Sequence, residues 1–252
     1  MKSLPLKQLQ LFSFPSKSII SHVFQPFVAP LSTIAAATSS EAASSIATLT
    51  QEELTKINLL LPRLCLSNHL PTAIHLTITA LLTNPPPKSL SLSILVDSLT
   101  SEPDMALPMS LLTRLKHSPA AHPYLTPINT LLIASYFRKH KPKEALKVFN
   151  WMVRPGSPCV LDEKVCGILV NGFCRNGMIL EALKVLRAMV GVNLVPERGF
   201  GNWVYRGLLR EARIGEALEL NEALGSIKEI GGDVAVKNVG KVLDHMISIW
   251  TD

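Results

Sequence analysis

Residues 169–196 read LVNGFCRNGMILEALKVLRAMVGVNLVP, and this stretch decides the fold. An apolar run ends at Cys174-Arg175, Asn176-Gly177 follows, and a second apolar run carries Glu181-Ala182 and Met189. Leu, Ile and Val recur at three- and four-residue steps, the period of a helix with one buried face. Gly177 tolerates the left-handed backbone that ends many helices. The stretch therefore reads as helix, turn, helix: a first helix from Glu163 to about Arg175, and a second from about Ile179 to Val190. Asn193 to Pro196 then leads to the next unit. Working outward, the same words return. Glu144-Ala145, Glu181-Ala182 and Glu216-Ala217 lie 37 and 35 residues apart, and Arg138, Arg175 and Arg210 stand six residues before each Glu. Met152 and Met189 follow the first two Glu by eight residues, with Leu224 in that place in the third. One such unit cannot bury its own apolar face, so a fixed period of this length predicts stacked copies. The predicted fold is all-α, a helix-turn-helix repeat solenoid wound as a right-handed α-superhelix. Stacked-repeat proteins bind extended partners along one surface, which makes an interaction protein the first expectation and an enzyme the second.

Small residues mark the packing. Ala145, Ala182 and Ala217 are predicted where two helices cross, with Phe149 and Leu186 four residues on, filling the gap to the neighbouring unit. Pro142 is predicted to open a second helix, where a missing N–H matters least. Upstream copies are degraded. Asn58 to Leu82 keeps the shape, with Asn68-His69 at the turn, and Ser93 to Leu115 is a shorter copy. Pro85-Pro86-Pro87 and Ser118 to Pro127 read as connecting loops.

The chain thus divides into four parts: residues 1–45, a leader; 50–125, degenerate repeats; 126–232, three clear repeats; and 233–252, a closing helix that caps the stack. The leader contains Lys2, Lys7 and Lys17 among many serines and no acid before Glu41. An acid-free, Ser-rich, mildly basic start reads as an organelle transit peptide, with the mitochondrion ahead of the chloroplast. These residues contain no Arg, which is unusual for a mitochondrial address.

Composition narrows the function classes. The 252 residues are 47% hydrophobic but only 6% aromatic, which suits close-packed helices. The formal net charge of +6 is compatible with a nucleic-acid partner. No run of about 18 uncharged apolar residues predicts a membrane span. Cys65, Cys159, Cys166 and Cys174 form no CxxC pair and read as reduced, buried residues. Phosphate loops, dinucleotide fingerprints and HExxH are missing from the sequence, so no catalytic residue, metal or cofactor is expected.

The period and the words at 169–196 resemble the pentatricopeptide repeat family of organelle RNA-binding proteins, with the best match over about residues 126–233. The 35-residue interval, the Asn-Gly turn and the late Met separate this pattern from the 34-residue, Trp/Tyr-rich tetratricopeptide repeat. The resemblance implies single-stranded RNA as partner, one nucleotide per repeat, read by two residues. The first would be Thr130, Gly167 and Asn202, with Asn58 and Ser93 upstream and Asn238 in the last helix. The paired last residues would be Asp162, Glu197 and Asp233. Thr130 with Asp162 resembles a pair that favours G, and Asn202 with Asp233 one that favours U. Gly167 departs from this pattern, having no side chain. Pro127, Lys164 and Gly199 stand where the family has an aliphatic residue that sandwiches the base. Arg138, Arg175 and Arg210 recur in phase, as a phosphate-tracking stripe would, although cations at helix ends also balance the helix dipole. The expected function is RNA processing, stability or translation by a monomer without chemistry of its own. The competing expectation is a protein–protein scaffold such as an organelle ribosome-associated subunit.

Overall fold

A computed structural model describes residues 50–83, 90–230 and 233–251, all within one compact unit spanning residues 45–252. The leader and Pro85-Pro86-Pro87 lie outside the described residues. Eleven α-helices follow one another among those residues, with no strand: α1 Gln51–Leu66, α2 Leu70–Leu81, α3 Ser93–Ser101, α4 Ala106–Lys116, α5 His122–Arg138, α6 Pro142–Met152, α7 Glu163–Arg175, α8 Ile179–Gly191, α9 Arg198–Arg210, α10 Ile214–Ile230 and α11 Asp233–Ile249. The all-α helical-repeat solenoid is the observed fold class.

Local chemistry sets the helix limits. Thr50 and Glu53 form a capping box at α1: the Thr50 hydroxyl accepts from the Glu53 N–H at 3.2 Å, and Glu53 accepts from the Thr50 N–H at 2.8 Å. The Asp162 carboxylate accepts from the Val165 N–H at 2.7 Å and opens α7. At the other end, one device recurs. The N–H groups of His69, Lys141, Met178 and Arg213 donate to the carbonyls of Leu64, Tyr136, Phe173 and Leu208 at 2.8, 2.9, 3.0 and 3.0 Å. Each closure is preceded by a residue in the left-handed region: Asn68, His140, Gly177 and Ala212, with φ of 58°, 55°, 70° and 58°. This is the Schellman ending, and it turns the chain from first helix to second in four units.

Packing follows the repeat. α3, α5, α7 and α9 each pack on the first helix before them, and each second helix returns against its own first helix. Ala145, Ala182 and Ala217 are fully buried, and Phe149 and Leu186 fill in behind them, as the spacing predicts. The buried residues form one continuous core from Leu61 to Met246. Each fully buried Leu or Phe contributes about 1.5–3 kcal/mol relative to an exposed one.

Two details differ from the sequence reading. Ser118 to Pro127 is not a loop: Pro119–Ala121 forms a single 3-10 turn and α5 starts at His122. Pro123 sits in the first turn, where it is tolerated, and Pro127 removes one hydrogen bond from α5. Burial of Ala121, Leu125 and Ile128 against the core outweighs that loss and keeps the segment helical. The closing helix α11 caps the stack by an unexpected route. It packs on α8 and α10 rather than extending the row of first helices beyond α9. Arg187 pairs with Asp244 at 2.6 Å, and the Arg213 guanidinium lies 4.2 Å from the Trp250 ring centre. Neither contact has a signal in the repeat pattern.

Candidate functional site

α5, α7 and α9 lie side by side, so equivalent residues fall into rows. Along each helix, the first-reader position, the residue four later and the residue eight later share nearly one face. These are Thr130, Ala134 and Arg138; Gly167, Asn171 and Arg175; Asn202, Arg206 and Arg210. Eight residues rise about 12 Å along a helix, so the readers and the arginines mark two edges of one surface.

The arginine edge is built by the helix endings. Arg138, Arg175 and Arg210 are each the last residue of a first helix and all three are exposed. None has an ion pair among the described residues. Arg210 is close enough to Cys174 to act on its thiol, so the ends of α7 and α9 stand together. Burial nevertheless dominates at that cysteine and pushes it, like Cys166, up to about 12, so both remain protonated at neutral pH. All four cysteines are free.

The reader edge is uneven. Thr130 is only 8% exposed, and its hydroxyl donates to the Thr126 carbonyl at 2.8 Å. Asn58 is also engaged: its side-chain oxygen accepts from the Ser91 N–H at 3.0 Å. Asn202 is exposed beside a cleft of about 340 Å³ whose lining includes Glu197, Arg198 and Asn221. Asp162 is exposed, with one carboxylate oxygen held by its helix cap. The Asp233 side chain lies outside the described residues. Its helix does not take the place beside α9 that the next repeat would occupy, so the expected pairing of Asn202 with a following first helix is not built in the usual way. Ser93 and Asn238 are exposed on α3 and α11.

Gly167, the position without a reading side chain, has a structural cause. A Cβ there would meet Phe200 Cε1 at 3.1 Å. The Phe200 ring, reaching over from α9, fills the space that a side chain would take. Phe200 stacks on Trp203 with ring centres 5.7 Å apart and planes 22° from parallel. Near the same seam, Glu163 and Glu197 sit together, and Glu197, by hydrogen bond and by charge, holds the Glu163 carboxyl above its ordinary value. Sequence spacing pointed to Gly167 and Glu197, but not to the aromatic pair, because only the packing of α9 on α7 brings it to this face.

Among the described residues there is no group of three or more His, Cys, Asp or Glu side chains able to hold a metal, and no helix long and apolar enough to cross a membrane. Residues 130–156 and 167–190 each match the PPR repeat family. No curated protein matches the chain. These two segments are therefore pentatricopeptide-type repeats, each match running from within the first helix through the turn and the second helix of the α5–α6 and α7–α8 units.

Proposed function

We propose that this repeat protein binds single-stranded organelle RNA along the row formed by α5, α7 and α9, in RNA processing, stability or translation, without catalysing a reaction itself. The carrying observation is the exposed arginine row at the ends of these three helices, none of it ion-paired among the described residues. Cations held at one repeat interval along one edge are suited to following a phosphate backbone. The two repeat matches support the same reading, since the family is one of RNA binders.

The test is filter binding of single-stranded RNA over several salt concentrations. Changing Arg138, Arg175 and Arg210 together to Gln is expected to weaken every sequence alike and to flatten the salt dependence by roughly two units of slope, at ~0.7 per phosphate contact. A folded, helical protein that binds no RNA at low salt defeats the reading.

One observation favours a second reading, a protein–protein scaffold such as an organelle ribosome-associated subunit. Thr130 and Asn58 are engaged within the protein and Gly167 is covered by Phe200, which leaves few free base-reading groups. Cross-linking in isolated organelles separates the two: a discrete RNA footprint supports RNA binding, and recovery of ribosomal components alone supports the scaffold. The proposed address is the mitochondrion, with the chloroplast as alternative, from the acid-free residues before Glu41. Residues 1–45 fused to a fluorescent reporter are expected to direct it to an organelle, and a diffuse cytosolic signal contradicts that.

A further inference from the structure

We propose that this chain associates head to tail with a second copy of itself, α1 of one copy docking on the face that α9 and α10 of the other leave open. The inference is independent of the RNA reading and departs from the monomer expected from the sequence.

The two ends of the array expose opposite halves of one seam. Two places after the first-reader position, Leu95, Leu132, Leu169 and Val204 are all 0% exposed, whereas Leu60 on α1 is 45% exposed. In the later units the unit before covers this place, and among the described residues no unit precedes α1. At the other end the relation is reversed. Seven places after the reader, Cys65, Thr100 and Cys174 are buried, Thr100 against Ser135 of the next first helix, whereas Leu209 is 40% exposed. In the second helix, Ile179 and Leu183 are buried, and their equivalents Ile214 and Leu218 are 60% and 56% exposed. Leu209, Ile214 and Leu218 are bare because α11 docks on α8 and α10 and leaves the place beside α9 open. Terminal units of a solenoid need polar outer faces to stay apart in solution. Here both end faces carry apolar side chains that the inner units bury.

Charge selects the occupant. Five places after the reader, the later units carry Ser98, Ser135, Gly172 and Gly207. The two glycines lie against Phe137 and Ile179 of the unit before them. The equivalents of Phe137 and Ile179 in the last unit are Leu209 and Ile214. At the fifth place α1 has Arg63, which is exposed. In a docked copy Arg63 comes beside Leu209 and Ile214, and the exposed Glu211 stands between those two in the chain. Exposed Glu219 and Glu222 on α10 add to the negative charge. The α3–α5 seam shows the same polarity within one chain, where Lys139 of the following unit pairs with Asp97 of the preceding one. Such pairs fix register and exclude wrong partners more than they add affinity. A helix with a small residue at the fifth place would fill the apolar patch and leave these acids unmatched. The long arginine holds this seam wider than the inner ones, so the association belongs to the weak, transient class. The two faces differ, so the contact is heterologous, and each docked copy leaves one free face of each kind.

The experiment is sedimentation velocity of the full chain over a micromolar concentration series without RNA. The mean mass of the wild type is expected to rise with concentration and to pass that of a dimer. Leu60→Glu and Leu218→Glu are each expected to weaken self-association at least about 10-fold, the loss of one buried apolar side chain. Mixed in equal amounts, these two variants each bring the intact face that the other lacks, so they are expected to form a one-to-one dimer that grows no further. Arg63→Glu is expected to weaken association, and adding Glu211→Arg in the same chain to restore it. All four positions are exposed, so helical circular dichroism is expected to match the wild type. A wild type that stays monomeric at the highest concentration overturns the proposal. So does a mixture of Leu60→Glu and Leu218→Glu that associates no more than either alone, which would mean that the copies meet through other faces.

Discussion

The seam between α3 and α5 and the seam between α5 and α7 perform the same task with opposite chemistry. At the first, Thr100 and Ser135 share a buried hydroxyl–hydroxyl hydrogen bond of 2.7 Å. Lys141 reaches back to the carbonyls of Thr100 and Glu102 at 2.8 and 2.9 Å, and Lys139 pairs with Asp97 at 3.0 Å. At the second, Phe137 meets Phe173 edge-on with ring centres 5.2 Å apart, and its ring lies where a Cβ on Gly172 would be. The difference shows what degeneration of a repeat involves. Where the words Phe-Cys-Arg and Asn-Gly are kept, a glycine and a ring close the seam and the terminal arginine stays free. Where they are lost, hydroxyls and lysines from the next unit close it, and those cations are engaged within the protein. The equivalents of Arg138 in the two units before it are Ser101 and Leu66, so the free arginine row begins only with α5.

The largest effect is expected at the aromatic seam. Phe173 is fully buried, so Phe173→Ala removes the edge contact and leaves a cavity. A loss of about 3–5 kcal/mol is expected in a urea titration. A loss under about 1 kcal/mol would mean that the ring pair does not hold α5 to α7, and the contrast between the seams would collapse.

The polar seam is expected to respond less and in a different pattern. Thr100→Val leaves the Ser135 hydroxyl buried without its partner, at a loss of about 1–3 kcal/mol. Adding Ser135→Ala is expected to restore part of that stability, because removing both polar groups leaves none unsatisfied. If the two losses simply add, the hydroxyl pair is not coupled.

The helix endings carry the comparison into the turns, and they also show what was legible in the sequence. Asn176-Gly177 announces its turn, since Gly177 tolerates positive φ. His140 and Ala212 make the same turn with no residue-level signal, because the tertiary position of α6 and α10 imposes it. The helix pairs, the buried Ala145, Ala182 and Ala217, and the arginine row all follow from period and residue size, which act locally. The helical start of α5, the docking of α11 on α8 and α10, and the Phe200–Trp203 pair do not, because each depends on contacts between units. Likewise, spacing alone marks Thr130 as a candidate reader, and only the coordinates reveal its bond to Thr126. A left-handed Ala is strained by about 1–2 kcal/mol. Ala212→Gly is therefore expected to raise stability by up to about 1 kcal/mol, some of the strain relief being offset by the greater freedom of glycine in the unfolded chain. Gly177→Ala is expected to lower it by a similar amount. Thermal denaturation of the pair checks both signs, and equal signs would mean that the two turns are not equivalent.

The smallest expected effect lies at the seam between α7 and α9, where the glycine-and-ring arrangement is joined by a pair of acids. Glu197 raises the Glu163 carboxyl above its ordinary value, chiefly through a hydrogen bond that requires Glu163 to hold the proton. The folded protein therefore binds this proton more readily than the unfolded chain. Its contribution to stability is fully present below the unfolded pKa and is lost as pH rises through the higher folded one. Once Glu163 loses that proton, the hydrogen bond is gone and its charge is repelled by Glu197. Glu163→Gln keeps a donor toward Glu197 and removes one charge, so it is expected to raise Tm slightly at pH 7. The gain should shrink as pH falls through the carboxylate range, where wild-type Glu163 regains its proton. Because both groups are exposed, solvent screening keeps the effect small, and added salt should reduce it further. Differential scanning fluorimetry of the two proteins from pH 4 to 8 checks the sign. A Tm difference that grows as pH falls would show that the acids do not share a proton, and the α7–α9 seam would then differ from the α5–α7 seam in its rings alone.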